Sequence, residues 1–160
     1  MPRTYADLLK EARAQIREVT PQQVDALAPD AAIVIDVREA SEWEQGHLPG
    51  AVHISKSYVE QQVEAAAPDR DAEVILYCAG GVRSLFAAQT LEQLGYTNVA
   101  SMSGGFQAWK SAGLPWEAPT ILSPERALAA AGSGRGSGST DHRTGRRSSA
   151  GPRTGRPTHG

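Results

Sequence analysis

Residues 74–94 constrain the fold of this chain more than any other segment. An apolar run at Val74–Tyr77 leads into a loop with Gly80 and Gly81, and apolar residues then recur at helical spacing through residues 85–94. This order predicts a buried strand, a tight turn and a helix. Cys78, the only cysteine of the chain, is the first residue of the turn.

A thiol at this turn meets an environment that favours its anion. The loop N–H groups, the helix N-terminus and Arg83 all stabilise negative charge, which predicts a thiol pKa below the value of free cysteine. A lone cysteine is more often a small core residue. A strand that only fills a core, however, gains nothing from two glycines and an arginine at its end. The pattern therefore favours a nucleophile, and a nucleotide-binding loop is disfavoured because the Gly-Lys-Ser/Thr ending is missing.

The rest of the chain alternates between predicted strands and helices. Strands alternating with helices indicate a mainly parallel sheet covered on both faces, with ligands bound where strands end, which is where Cys78 lies. The expected helices cover residues 5–19, 20–27, 41–45, 56–66, 84–94 and 106–112, and the expected strands cover residues 32–37, 51–54, 74–78 and 99–102.

Three motifs resemble those of one family. The loop from Cys78 to Ser84 looks like the active-site loop of rhodanese-type sulfurtransferases. Residues 35–39 and 46–51, with Trp43, are similar to the N-terminal signature of that family, and residues 103–106, with Trp109, are similar to its C-terminal signature. The resemblance implies a rhodanese-like three-layer α/β fold, with a mainly parallel central sheet and helices on both faces.

The sequence divides into three expected parts. Residues 1–19 form an accessory N-terminal helix, residues 20–119 the rhodanese-like domain, and residues 120–160 a linker and a tail rich in Arg, Gly, Ser and Pro. With 160 residues, 40% of them hydrophobic, the chain supports one compact domain. The tail from residue 132 shows no apolar periodicity, so we expect it to be disordered.

Charge is unevenly distributed between the domain and the tail. The chain holds 16 basic and 18 acidic residues, and six of the basic residues but only one of the acidic ones lie in residues 132–160. No aromatic residues interleave with these arginines, which disfavours nucleic-acid binding. Residues 122–126 also resemble the junction before an adenylyltransferase domain in fused sulfur-carrier-activating proteins. On that interpretation, the tail is an out-of-frame remnant.

The resemblance implies a sulfurtransferase in which Cys78 carries a transferable sulfur as a persulfide. A donor such as thiosulfate or a persulfide supplies the sulfur, and an external thiol, cyanide or a sulfur-carrier protein accepts it. The expected persulfide-binding residues are those of the loop, Ala79, Gly80, Gly81, Val82 and Arg83. We expect Asp36, Arg38 and Ser84 to support this loop from behind. Arg83 has two open roles, which are to orient the anionic part of the donor or to hold the loop.

Two alternatives to sulfur transfer stay open. Cysteine-dependent phosphatases that share the fold place five residues between cysteine and arginine, whereas four, 79–82, intervene here. A noncatalytic rhodanese-like binding module is the second alternative, and the intact Cys78 and Arg83 argue against it. We expect no metal or other cofactor, because the histidines are scattered without paired ligand spacing. We also expect a cytoplasmic protein without nucleic-acid or membrane partners, because no signal segment or bilayer-length apolar stretch is present.

Overall fold

The computed structural model describes residues 1–119, so the predicted linker and tail, residues 120–160, lie outside the described residues. Six α-helices and five strands alternate along the described chain. Within this range, no helix is both long and apolar enough to cross a membrane. The elements are α1 (Tyr5–Gln15), β1 (Arg17–Val19), α2 (Pro21–Asp25), β2 (Ile33–Asp36), α3 (Ala40–Gln45), β3 (Val52–His53), α4 (Val59–Ala66), β4 (Val74–Tyr77), α5 (Arg83–Gln93), β5 (Val99–Met102) and α6 (Gly105–Ser111).

The five strands form one sheet in the order β1-β5-β4-β2-β3, and every neighbouring pair is parallel. Strand β4 lies in the middle, and all four of its residues are buried. A strand that is covered on both faces needs apolar side chains at every position, which is why its sequence is a continuous apolar run. The predicted parallel α/β architecture is confirmed.

The two faces of the sheet carry separate hydrophobic clusters. Val74 and Leu76 pack in one cluster with apolar residues of α1, α4 and α5. Ile75 and Tyr77 point to the other face, where they pack with residues of α2 and α6. Successive side chains of a strand alternate between faces, so β4 joins both clusters and the fold has three layers.

The N-terminal segment differs from the prediction. The expected helix over residues 5–19 ends at Gln15, and Arg17–Val19 forms β1, whose residue Val19 pairs with Met102 of β5. The segment is therefore not only an accessory helix, because it also contributes an edge strand. The three-residue spacing of Ile16 and Val19 is that of a helix face, but the two side chains pack in the clusters on opposite faces of the sheet. Pairing with β5 satisfies backbone groups of residues 17–19 at the sheet edge.

Most of the other elements differ from the prediction at their ends. The helix expected over residues 56–66 begins as a 3₁₀ turn at Lys56–Tyr58 before α4. Strand β3 holds only Val52–His53, and β5 has the predicted bounds. Differences of one or two residues are usual where helices and strands fray.

A buried ion pair fixes the end of β2. Asp36 and Arg38 are 0% and 4% exposed, and the guanidinium Nη2 donates to Asp36 Oδ2 at 2.7 Å. Nη2 also donates to the carbonyl of Gly46 at 2.6 Å, and the guanidinium carbon lies 4.5 Å from the ring centroid of Phe106. Arg38 thus connects β2, the end of α3 and α6 in one buried network.

Replacing Asp36 by alanine should strongly destabilise the protein. The variant leaves the guanidinium of Arg38 buried without its counter-charge, which costs about 3–5 kcal/mol of unfolding free energy. Urea unfolding followed by circular dichroism measures the loss. Asp30→Ala, at an exposed position, is the control and should change stability by less than about 0.5 kcal/mol. Equal unfolding midpoints for the two variants would contradict the role of the pair.

Candidate active site

Cys78 is the first residue after β4, at the carboxyl end of the central strand. The residue is 1% exposed, and its sulfur accepts a hydrogen bond from the N–H of Gly81 at 3.1 Å. The hydroxyl of Ser84, in the first turn of α5, lies 3.5 Å from Sγ. The loop therefore curls around the sulfur and presents hydrogen-bond donors to it.

Helix α6 holds the outer side of this loop. The carbonyls of Cys78 and Ala79 accept hydrogen bonds from the N–H groups of Phe106 and Gln107, at 2.8 and 3.0 Å. The backbones of the loop and of α6 lie so close together that no side chain fits between them, since a Cβ on Gly105 would collide with the Cys78 carbonyl. With the two carbonyls bound to α6, the opposite side of the loop offers N–H groups to the sulfur.

Gly81 has a backbone conformation that the turn requires. Its φ is +93°, a region that residues with a Cβ rarely adopt. A Cβ there would lie 2.9 Å from the backbone nitrogen of Gly104. This glycine therefore lets the loop reverse direction close to the sulfur while it touches the turn before α6. Val82 follows as the N-cap of α5, and its carbonyl accepts the N–H of Leu85 at 3.1 Å.

A chain of two buried hydroxyls extends from the sulfur. Ser84 Oγ lies 2.7 Å from Ser101 Oγ, and both serines are 0% exposed. Because each hydroxyl can donate one hydrogen bond, Ser101 can donate to Ser84 while Ser84 donates to the Cys78 sulfur. Ser101 was not predicted. Its signal in the sequence is a polar residue in the otherwise apolar strand β5.

The hydrogen bonds lower the pKa of the Cys78 thiol. Burial acts in the opposite direction and raises this pKa, but hydrogen bonds from the Ser84 hydroxyl and from the N–H groups of Ser84, Gly81 and Gly80 outweigh it. The net result is a pKa below the ordinary value for cysteine. The site thus favours a thiolate, which is the nucleophilic form of the side chain.

Arg83 is held by a carboxylate of α3. Its Nη1 and Nη2 donate to Oε1 and Oε2 of Glu42 at 2.7 and 3.0 Å, which is a bidentate pair. This pair lowers the pKa of the Glu42 carboxyl. Glu42 was not predicted as part of the site, because 41 residues separate it from Arg83 along the chain. The geometry is that of an arginine that anchors the loop to α3.

The two histidines nearest the site make structural contacts. The ring of His47 stacks on Trp43 with centroids 3.4 Å apart, and its Nδ1 lies 3.2 Å from the Trp43 carbonyl. His53 Nε2 lies 2.8 Å from the carbonyl of Arg38. Among residues 1–119, no group of three His, Cys, Asp or Glu side chains is placed to hold a metal ion.

A cavity of about 220 Å³ lies beside the Cys78 loop. We name it the loop cavity. Residues of β2's end, α3, the loop and α6 surround it, namely Arg38, Glu42, Gln45, Ala79, Phe106, Gln107 and Lys110.

Taken together, the features define a class of protein: a parallel three-layer α/β domain whose buried, hydrogen-bonded cysteine follows the central strand. Residues 20–112 match the family described as "Rhodanese-like domain". The chain belongs to this family, and the resemblance of the three sequence motifs is confirmed.

Known proteins of similar sequence and structure agree with this assignment. The chain is 38% identical over 99 residues to thiosulfate sulfurtransferase GlpE of Haemophilus influenzae, covering 62% of this chain and 92% of that protein. A solved thiosulfate sulfurtransferase from Pseudomonas aeruginosa has 28% identity and a TM-score of 0.64, covering 78% of this chain and 25% of that one.

A second similar structure is described differently. It is a protein of unknown function from Rhodopseudomonas palustris, described as a possible tyrosine phosphatase, with 32% identity and a TM-score of 0.64. The match covers 73% of this chain and 99% of that one. The fold alone therefore does not select between the two chemistries, and the geometry of the loop has to do so.

Removing the hydroxyl that faces the sulfur should raise the pKa of Cys78. In Ser84→Ala the thiolate loses one hydrogen bond, so we expect an upward shift of about one pH unit. Ultraviolet absorbance of the thiolate as a function of pH measures the midpoint, and Cys78 is the only thiol that contributes. Ser57→Ala, at an exposed position, is the control. An unchanged midpoint in Ser84→Ala would mean that the hydroxyl does not stabilise the anion.

Proposed function

We propose that this protein moves a sulfane sulfur from a donor, thiosulfate or a persulfide, to an external thiophilic acceptor through a persulfide on Cys78. The reaction class comes from the family, and the chain is a rhodanese-type sulfurtransferase like the relatives that it matches. One observation carries the mechanism: the buried sulfur of Cys78 accepts hydrogen bonds that favour its thiolate.

In the first half of the reaction, the thiolate attacks the terminal sulfur of the donor. With thiosulfate, a bond forms between Cys78 Sγ and that sulfur, the S–S bond of the donor breaks, and its electron pair leaves with sulfite. The protein is left with a persulfide anion, and no proton is required. The N–H groups of Ala79, Gly80, Gly81, Val82 and Arg83 are the donors proposed to hold the outer sulfur.

In the second half, an acceptor nucleophile removes the outer sulfur and the Cys78 thiolate returns. The chain has one cysteine, so the resolving nucleophile comes from outside, as cyanide, a small thiol or a sulfur-carrier protein. A persulfide carrier works in a reducing compartment, which favours the cytoplasm as its location.

The loop geometry supports sulfur transfer over phosphate hydrolysis. Four residues separate Cys78 from Arg83, and they form a small ring of N–H groups that suits one sulfur atom. The guanidinium of Arg83 is already occupied by both oxygens of Glu42. A phosphatase would need this guanidinium for the oxygens of a bound phosphate, and reaching them would require breaking the pair.

Cys78→Ser should abolish sulfur transfer and leave the fold intact. The substitution is nearly isosteric, but an alcohol is not ionised at neutral pH, so we expect the rate of thiocyanate formation from thiosulfate and cyanide to fall by at least about 100-fold. Mass spectrometry of the intact protein after thiosulfate treatment should show one added sulfur on the wild type and none on the variant.

Hydrolysis of an aryl phosphate tests the alternative, which is phosphatase activity. If the wild type hydrolyses the phosphate at a rate that depends on Cys78 and gains no sulfur from any donor, the protein is a phosphatase. If Cys78→Ser instead transferred sulfur at the wild-type rate, Cys78 would not be the nucleophile.

Glu42→Gln tests whether Arg83 anchors the loop. Both partners are about one-third exposed, at 36% and 33%, so the loss of unfolding free energy should be at most about 1 kcal/mol. If the pair holds the loop in place, kcat should fall several-fold while KM for thiosulfate stays close to the wild-type value. Steady-state kinetics measures kcat and KM separately and so checks both expectations. A large fall in KM alone would instead assign Arg83 to donor binding, because the freed guanidinium would then hold the anion more tightly.

A further inference from the structure

The loop cavity adjoins the Cys78 loop on the side of α6. Ala79, the residue after the nucleophile, forms part of its wall, and so does Phe106, whose N–H binds the Cys78 carbonyl at 2.8 Å. Its volume of about 220 Å³ is several times the ~30 Å³ that one water molecule occupies in the liquid. A small inorganic or organic anion therefore fits beside the loop.

Most charges around the loop cavity are already neutralised by a partner. Arg38 forms its ion pair with Asp36, and Glu42 forms its pair with Arg83. Lys110 differs from these residues. In the part of the chain that the structure describes, no carboxylate forms an ion pair with it. Among residues 1–119, Lys110 is therefore the one cationic group of the loop cavity whose charge no carboxylate balances.

Aromatic side chains position the ammonium group of Lys110. Its Nζ lies 5.0 Å from the ring centroid of Phe106 and 5.9 Å from that of Trp116. Contacts of a cation with aromatic faces hold it in place without cancelling its charge. Gln107 precedes Lys110 by three residues on α6, so the two side chains lie on one face of the helix and both line the loop cavity.

We propose that Lys110 recognises the anionic end of the sulfur donor, so that the preferred donors carry a negative charge on the side that departs. This inference rests on the proposed sulfur transfer and adds the substrate class to it. The catalytic loop itself has no basic residue between Cys78 and Arg83. Lys110 supplies from α6 the positive charge that the loop lacks, and Gln45 and Gln107 add neutral N–H donors around the same space.

Lys110 also assists the departure of the leaving group. When the S–S bond of thiosulfate breaks, the electron pair stays with sulfite, and negative charge increases on the sulfite side of the broken bond. A fixed cation near that side stabilises the transition state more than the bound donor. Lys110 should therefore affect kcat/KM most for donors whose departing part is already an anion when bound, because both its recognition and its departure then depend on the cation.

Lys110→Met tests the proposal, because it removes the charge and keeps most of the chain length. For thiosulfate we expect kcat/KM to fall roughly five- to tenfold, as for the loss of one partly solvated charge contact. For an alkyl persulfide, whose alkyl end is uncharged in the bound donor and gains charge only as the thiolate departs, the fall should be smaller, at about twofold. Lys110→Arg should restore most of the thiosulfate activity.

Lys10→Met is the matched control. Lys10 is an exposed lysine of α1 that does not line the loop cavity, and its replacement removes the same formal charge. The proposal expects wild-type kinetics with both donors for this variant. A similar loss for Lys10→Met and Lys110→Met would mean that only the net charge matters, and the proposal would be wrong.

A binding measurement separates this inference from the proposed reaction. In the Cys78→Ser background no sulfur can be transferred, so thiosulfate can be titrated at equilibrium by NMR. Cys78→Ser should bind thiosulfate roughly five- to tenfold more tightly than Cys78→Ser combined with Lys110→Met. Equal affinities would overturn the role of Lys110, even if the wild type transfers sulfur. Weaker binding in the double variant would support that role, even if the wild type gains no sulfur and the proposed function fails.

Discussion

The backbone contact between the cysteine loop and the turn before α6 is the interaction on which the site depends. The carbonyls of Cys78 and Ala79 accept N–H groups of α6, and Gly105 allows the two segments to touch without an intervening side chain. This contact sets which side of each loop peptide faces the sulfur. It also places Gln107 and Lys110, on the next turn of the same helix, at the edge of the space above the loop.

The charged groups around the loop differ in how fully they are paired, and the pairing decreases from the core to the surface. Asp36 and Arg38 pair in full burial, Glu42 and Arg83 pair at partial exposure, and Lys110 contacts aromatic rings. Burial makes an unpaired charge expensive, so the innermost ions have to be matched. Lys110 is exposed, so an unbalanced charge costs little there, and that is where a charged molecule from solvent can be recognised.

The sequence allowed the prediction of β4, the turn and α5 because their signals are local. An apolar run, two glycines and a helical period all lie within residues 74–94. Strand β1 escaped prediction, since the spacing of Ile16 and Val19 favours a continued helix and only pairing with the distant β5 overrides it. The contacts of Glu42 and Ser101 with the site were missed for the same reason: their partners lie 41 and 17 residues away along the chain.

The near-complete burial of Cys78 has a consequence for selectivity among acceptors. At 1% exposure, the thiol is shielded from bulky partners, so a mixed disulfide with another protein is sterically disfavoured. A second sulfur extends the side chain by about 2 Å, the length of an S–S bond. In the proposed persulfide, the outer sulfur would therefore be the atom that an acceptor meets first, while Sγ stays buried behind it. An acceptor would then take the outer sulfur of the proposed persulfide without having to contact the buried Sγ.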